Sequence, residues 1–248
     1  MRLDIYLVTN NLFESREKAT FAIKNGAISV DSKICLKPSL DITIQNVKVI
    51  AEVLPFVSRG GFKLDHAIKK FNLKFNNKVV LDIGASTGGF TDVALQNNAA
   101  KVVCVDVGTN QLHEKIRNNE KVVFYENLNI LDFKTEEVFD YLVMDVSFVS
   151  IKTIIPSLLQ FMTDTNYLVA LIKPQYEVGK MKVKNGIVRD SKVHENVINE
   201  VIQLASTIGL NTIQLEASPI TGKMGNKEYL ILLSKVKSSN IINVRKII

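Results

Sequence analysis

From residue 78 onward the chain repeats one pattern, a short apolar run followed by a stretch with helical character. The runs are KVVLDIGA (78–85), KVVCVDVG (101–108), KVVFYENL (121–128), YLVMDVSF (141–148) and NYLVALIKP (166–174). They are rich in β-branched residues and mark strands buried on both faces. Such strands lie parallel and need crossover helices over the sheet. Helical stretches at about 90–96 and 111–117 supply crossovers, and a long helix at about 192–207 ends before Gly209. Two more strands close the pattern, NTIQLEAS (211–218) and EYLILLSK (228–235). Residues 219–227 between them are too few for a crossover helix, so the last strand is expected to run antiparallel. The fold class read from this pattern is α/β, a doubly wound Rossmann-like sheet.

The first 53 residues follow another rule. Leu3, Ile5, Tyr6 and Leu7 give a first short helix its apolar character. Ser15 can cap a second, Arg16 to Asn25, that stops at Gly26. Ala19, Ala22 and Ile23 share one face of it, while Arg16, Lys18 and Lys24 stay polar. AISVDSKI and DITIQNVKVIAEV then alternate apolar and polar residues, as half-buried strands do. Leu54-Pro55-Phe56-Val57 reads as a hinge, followed by a helix from about Phe62 to Phe71. The expected organisation is a small α+β domain at 1–53, a linker at 54–58, the large domain at 59–238 and a tail at 239–248.

The net charge of +6 leans towards an anionic partner. It is concentrated: Arg59 to Lys78 holds six Lys/Arg against one acid, and Lys173 to Lys192 six against two. Those stretches sum to +9, which leaves about −3 for the rest. A local basic patch is what a nucleic-acid footprint requires, and solvated faces are the competing reading. Cys35 and Cys104 have neither a pairing pattern nor metal-ligand spacing, and Cys104 sits in an apolar run. This points to a reducing cytoplasm. No apolar run nears the ~18 residues that span a bilayer, and the first residues do not read as a secretory leader.

The first sheet strand ends in Asp82-Ile83-Gly84-Ala85-Ser86-Thr87-Gly88-Gly89-Phe90. Glycines at a strand-to-helix turn let the backbone approach a ligand at the carboxyl edge of the sheet. The spacing lacks the second glycine of a dinucleotide fingerprint. Asp82 disfavours a phosphate and suits a zwitterionic amino acid or a sulfonium. Asp106, 24 residues further on, can accept from both ribose hydroxyls of an adenosine. A tight structural turn is the plainer alternative.

Four charged residues fall at ends of elements that converge on that edge. Lys63 opens the helix before the sheet, Asp145 and Lys173 end the fourth and fifth strands, and Glu228 begins the last. Lysines and carboxylates are seldom buried without partners, so two of each at one edge point to chemistry.

With these motifs in order, the chain resembles the TlyA (hemolysin A-like) family of rRNA 2′-O-methyltransferases, with an FtsJ-like catalytic domain. Residues 2–53 resemble the RNA-binding domain first seen in ribosomal protein S-four. The resemblance covers nearly the whole chain. It implies a catalytic tetrad of Lys63, Asp145, Lys173 and Glu228, and S-adenosyl-L-methionine as cofactor. It implies a cofactor set of Asp82, Gly84, Ala85, Ser86, Gly88, Gly89, Phe90, Asp106, Val107, Asn129 and Asp145. Ribosomal RNA or ribosomal subunits are the implied partners, with no membrane insertion. The shorter type within the family is associated with large-subunit RNA alone, which favours 23S over 16S. Some members carry an Arg-x-Trp-Val linker; here Leu54-Pro55-Phe56-Val57 keeps an aromatic and the valine but not the arginine.

The implied reaction moves a methyl group to a ribose 2′-hydroxyl of a cytidine. A lysine can take the hydroxyl proton only if its pKa falls from about 10.4 towards roughly 7–8, and a second ammonium nearby would help. Lys173 is assigned as base, Asp145 as its orienter, and Lys63 and Glu228 as positioners. No metal is called for, and His66, His113 and His194 have no ligand spacing. The basic segment Tyr176 to Arg189 is expected to clamp RNA phosphates through Lys180, Lys182, Lys184 and Arg189. Arg2, Arg16, Lys18, Lys24 and Arg59 are the further RNA contacts. A non-catalytic ribosome-assembly factor, a pore-forming hemolysin and a nicotinamide-dependent enzyme are the competing readings.

Overall fold

The computed structural model describes residues 1–24, 27–43, 45–49, 55–179, 183, 185–237 and 242–248. The chain divides into two compact units, Met1–Arg59 and Gly60–Ile248.

In the first unit, α1 (Leu3–Thr9) and α2 (Arg16–Lys24) precede strands β1 (Ile28–Val30), β2 (Lys33–Ile34) and β3 (Val47–Val49). The strands form an antiparallel sheet in the order β2-β1-β3. Ser15 starts α2 as expected, its Oγ accepting from Lys18 N at 3.2 Å. Asn25 and Gly26 lie outside the described residues. The β1–β2 hairpin closes through Asp31 and Ser32, both left-handed (φ 49° and 66°), which matches the twist of a two-residue turn. Leu3, Leu7, Ala19, Ala22, Ile23 and Ile28 are fully buried. The alternation read across residues 41–53 yields only Val47–Val49 as strand; residues 44 and 50–53 lie outside the described set.

The second unit opens with α3 (Gly61–Lys70). Then come β4 (Val79–Ile83), α4 (Gly89–Gln96), β5 (Lys101–Val105), α5 (Glu114–Arg117), β6 (Val122–Tyr125) and β7 (Tyr141–Met144). They are followed by α6 (Ile151–Ile154), β8 (Tyr167–Ile172), α7 (Pro174–Glu177), α8 (Ser191–Thr207), β9 (Asn211–Ala217) and β10 (Tyr229–Ser234). Among the described residues the strands make one seven-stranded sheet in the order β6-β5-β4-β7-β8-β10-β9. The doubly wound class and the reversed last strand are both borne out. β4 through β8 pair in parallel, and β10 is antiparallel to β8 and to β9.

Local chemistry explains where elements end. Asp190 caps α8, its Oδ1 accepting from Lys192 N at 2.9 Å, so the helix begins at Ser191. Val197, Ile198, Val201 and Ala205 form its buried stripe. The helix expected at 111–117 is shorter, because His113 turns its Nδ1 onto Lys115 N at 3.1 Å and caps α5 there. After α6 the chain tightens into a 3-10 segment, Ile155–Phe161, with Pro156 in its first turn. Of the residues assigned to a tail, Ile242, Val244, Ile247 and Ile248 pack against the core of the large sheet. No helix among the described residues is long and apolar enough to cross a membrane.

Strand order leaves β4 in both directions, to β5 on one side and β7 on the other. A crevice at such a switch point is where open α/β sheets bind ligands, beyond the carboxyl ends of the strands.

Candidate active site

The turn after β4 is shaped by two left-handed glycines, Gly84 (φ 77°) and Gly88 (φ 90°). A side chain at Gly84 would meet the Asp145 carbonyl oxygen at 3.0 Å, so the turn passes close beneath the end of β7. Gly88 leads directly into α4. Asp82 faces Thr91 on that helix, Oδ2 accepting from Thr91 Oγ1 at 2.6 Å, and its Oδ1 finds no hydrogen-bond partner among the described residues. Burial, opposed by the Thr91 hydrogen bond and aided by the charges of Asp145 and Asp106, pushes the Asp82 carboxyl up to about 7. Burial likewise pushes the Cys104 thiol up beside it.

A crevice of about 530 Å³ opens over this turn. Of the residues assigned to the cofactor, Gly84, Ser86, Asp106, Val107, Asn129 and Asp145 line it. Ala85, Gly88, Gly89 and Phe90 are buried behind them, with Asp82. Ile83, Val105, Leu128, Ile130 and Ile154 add apolar wall. Asp106 is fixed by the neighbouring backbone: Oδ2 accepts from Ser86 N at 2.8 Å and Oδ1 from Gly108 N at 2.6 Å. An aliphatic wall with a fixed carboxylate at one end suits a nucleoside, and the volume is that of an ordinary ligand site. The residues present therefore fit the adenosyl cofactor.

Lys63, Asp145, Lys173 and Glu228 come together beside the crevice. Lys63 stands in the first turn of α3, and Asp145 and Lys173 each follow the last residue of a strand. β10 is reversed, so Glu228, just before it, reaches the same edge. Lys63 Nζ donates to Asp145 Oδ2 at 3.1 Å and lies 2.8 Å from Glu228 Oε2. Lys173 Nζ lies 2.6 Å from Asp145 Oδ1 and donates to Ser147 Oγ at 2.9 Å. Asp145 Oδ1 and Glu228 Oε2 meet their lysines as close charge contacts. Lys63, Lys173 and Glu228 are 7%, 6% and 3% exposed, so these charges are stabilised by one another rather than by water.

Burial alone would lower the Lys63 ammonium, but the charges of Asp145 and Glu228 outweigh it and hold its pKa above the ordinary lysine value. Burial alone would raise Asp145, but Lys63 and Lys173 hold it below the ordinary carboxylate value. Lys63 is thus a fixed cation between two acids.

Sequence reasoning missed several side chains at this rim. Phe148 is 84% exposed and left-handed at φ 66°. Its ring centroid lies 5.2 Å from that of Tyr176, tilted by 47°. Ser147 receives Lys173, and Glu177 caps α6. The run VSFVS reads as a strand end, and without glycine nothing in it signals the bend. His194 is a packing residue, its Nε2 bonded to the Val188 carbonyl at 3.0 Å and its Nδ1 to Tyr229 Oη at 2.8 Å.

The residues assigned to RNA divide. Arg2 and Arg16 converge on buried Asp4, at 3.0 Å and 2.8 Å. The hydrogen bond from Arg2, opposed by burial and aided by Arg16, holds Asp4 down to about 2. Lys18 pairs with Glu14 at 2.5 Å and Arg59 with Glu17 at 3.6 Å. Lys24 and Arg189 are exposed. Lys180, Lys182 and Lys184 lie outside the described residues, as does Leu54 of the hinge, while Phe56 and Val57 are buried.

Against known proteins, residues 56–235 match the model of the FtsJ-like methyltransferase family. The chain is similar to a provisionally named rRNA methyltransferase of Bacillus subtilis, at 42% identity over 94% of this chain and 85% of that one. It is 36% identical to the 16S/23S rRNA (cytidine-2′-O)-methyltransferase TlyA of Mycobacterium tuberculosis, over 94% of this chain and 89% of that one. A solved structure from Streptococcus thermophilus that bears a provisional hemolysin name superposes with a TM-score of 0.75 at 40% identity, covering 96% of this chain and 89% of that one.

Proposed function

Because this chain belongs to the FtsJ-like methyltransferase family, we propose that it methylates the 2′-hydroxyl of a cytidine in ribosomal RNA, 23S or 16S, in the cytoplasm. The observation that carries the reading is the Lys63–Asp145–Lys173–Glu228 cluster beside a nucleoside-shaped crevice. The similarity to a named cytidine-2′-O-methyltransferase of rRNA supports the substrate.

S-adenosyl-L-methionine, when bound, supplies an electrophilic methyl group. Asp106 would hold its ribose, and the backbone at Gly84 and Ser86 would lie against it. Lys173 Nζ would take the proton from the substrate O2′ as the free amine, having first given up its own proton to solvent, while Asp145 and Ser147 fix where that nitrogen stands. Lys63, kept cationic by its two acids, orients the oxygen and does not compete for its proton. Glu228 holds Lys63, and Gln175 Nε2 donates to Glu228 Oε1 at 3.4 Å. Alignment of this kind supplies several kcal/mol of barrier reduction.

Phe148 is an exposed aromatic ring on the wall of the crevice, and the half-buried Tyr176 ring leans against it. An aromatic face is the ordinary platform for an unstacked RNA base, and a left-handed bulky residue is tolerated where function needs it. They would carry the target cytosine. Arg2, Arg16, Lys18, Lys24, Arg59 and the segment from Lys180 to Arg189 would bind phosphates.

The decisive experiment is tritium transfer from labelled cofactor to purified ribosomal subunits, followed by mapping of 2′-O-methyl sites. No label in either subunit RNA would refute the reading.

A further inference from the structure

Helix α7 grips the loop after β7 at three successive points. Lys173 Nζ, just before α7, donates to Ser147 Oγ at 2.9 Å. The Tyr176 ring leans on Phe148 with centroids 5.2 Å apart. Glu177 takes the far end: Oε2 accepts from Ser150 Oγ at 2.5 Å and Oε1 from Ile151 N at 2.8 Å. The Glu177 side chain is 1% exposed, and among the described residues Lys152 is a cation 4.0 Å away. A carboxylate buried so completely is normally there for the hydrogen bonds it accepts. The transfer reaction makes no use of Glu177.

Between the first and third points lies Phe148 at φ 66°. A bulky residue does not keep this conformation unless its surroundings impose it. Ser147 is held on one side and Ser150 on the other, so the bend between them has nowhere to relax. We propose that Glu177 is a positioning residue that locks Phe148 in its left-handed, outward setting and so sets how the substrate base is received. The proposal rests on the reading of Phe148 as the base platform.

The test is a double-mutant cycle read in two ways on the full chain. Asn tolerates left-handed backbone, so Phe148→Asn relieves strain and should raise the melting temperature by about 2–4 °C. In a Glu177→Ala background the loop has already relaxed, and that gain should vanish. Glu177→Ala should also lower kcat/KM for RNA by about ten- to a hundredfold. Adding Phe148→Ala should then cost little more than either change alone. Glu177→Gln, which keeps an acceptor for Ile151 N, should restore most activity. If Glu177→Ala does not fold, Ser150→Ala takes its place in the cycle.

An equal melting gain in both backgrounds, or losses of activity that multiply, would overturn the proposal. Should the parent chain transfer no methyl group, the functional reading fails, yet the melting cycle still decides whether Glu177 holds Phe148.

Discussion

Lys63 and Glu228 meet at 2.8 Å with almost no water around them, joining a helix that precedes the sheet to the last strand within it. Removing the lysine leaves a buried acid facing another without its cation. Lys63→Met should therefore destabilise the chain by about 3 kcal/mol in urea unfolding, and Lys63→Met/Glu228→Gln should recover part of the loss. The pH dependence follows from the shifts. Lys63 is raised, so its contribution is full below the ordinary lysine pKa of 10.5 and is lost as pH climbs through its higher folded value. Asp145 is lowered, so its share is full above the ordinary aspartate pKa of 3.8 and is lost as pH falls through its lower folded value. Lys63→Met should lack the alkaline loss.

Lys173→Ala should reduce methyl transfer by roughly 10²–10⁴, the ordinary worth of a general base. Calorimetry should find cofactor affinity within a few-fold of the parent. Full activity in this variant would remove Lys173 from the mechanism.

Asp106 is the fixed acid of the crevice. Asp106→Ala should weaken S-adenosylmethionine binding by about ten- to a hundredfold, the worth of hydrogen bonds to a charged group. Calorimetry with NAD as the second ligand should show no binding to the parent chain. Tight NAD binding would revive the dehydrogenase alternative.

Phe148→Ala should lower kcat/KM toward RNA by about ten- to a hundredfold, the value of one base–aromatic stack. Phe148→Tyr should keep most activity. A kinetic series on one RNA substrate is sufficient, and an unchanged Phe148→Ala variant would discard the aromatic platform.

Replacing Lys180, Lys182, Lys184 and Arg189 by glutamine should weaken RNA binding. It should also flatten the slope of log affinity against log salt by about 3, four phosphates at roughly 0.7 each. Filter binding over a salt series reads both, and an unaltered slope would take the segment out of the interface.

Much of the large unit was legible because buried parallel strands have a simple signature. Runs such as KVVLDIGA and YLVMDVSF are apolar without alternation, and each carries an acid close to the carboxyl end of its strand, Asp82 and Asp145. The reversal of β10 could be read from loop length alone. The rim was less legible. Phe148 bends the backbone with no glycine to announce it, and its setting depends on Glu177, 29 positions away. The shortening at α5 came from a histidine acting as a cap, which competes with helix propensity at a level that pattern reading does not resolve. In the small unit the charges at Arg2 and Arg16 could be seen, but their convergence on Asp4 depends on the packing of α1 against α2.

The reversed strand also has a bearing on the order of synthesis. The parallel strands β5, β7 and β8 deliver Asp106, Asp145 and Lys173 just after themselves, but β10 delivers Glu228 before itself. A chain growing from its first residue therefore completes the nucleoside crevice well before it can pin Lys63 from both sides. Until β10 slots between β8 and β9, Lys63 has Asp145 but not Glu228 to hold it, so the charge cluster is the last part of this edge to be assembled.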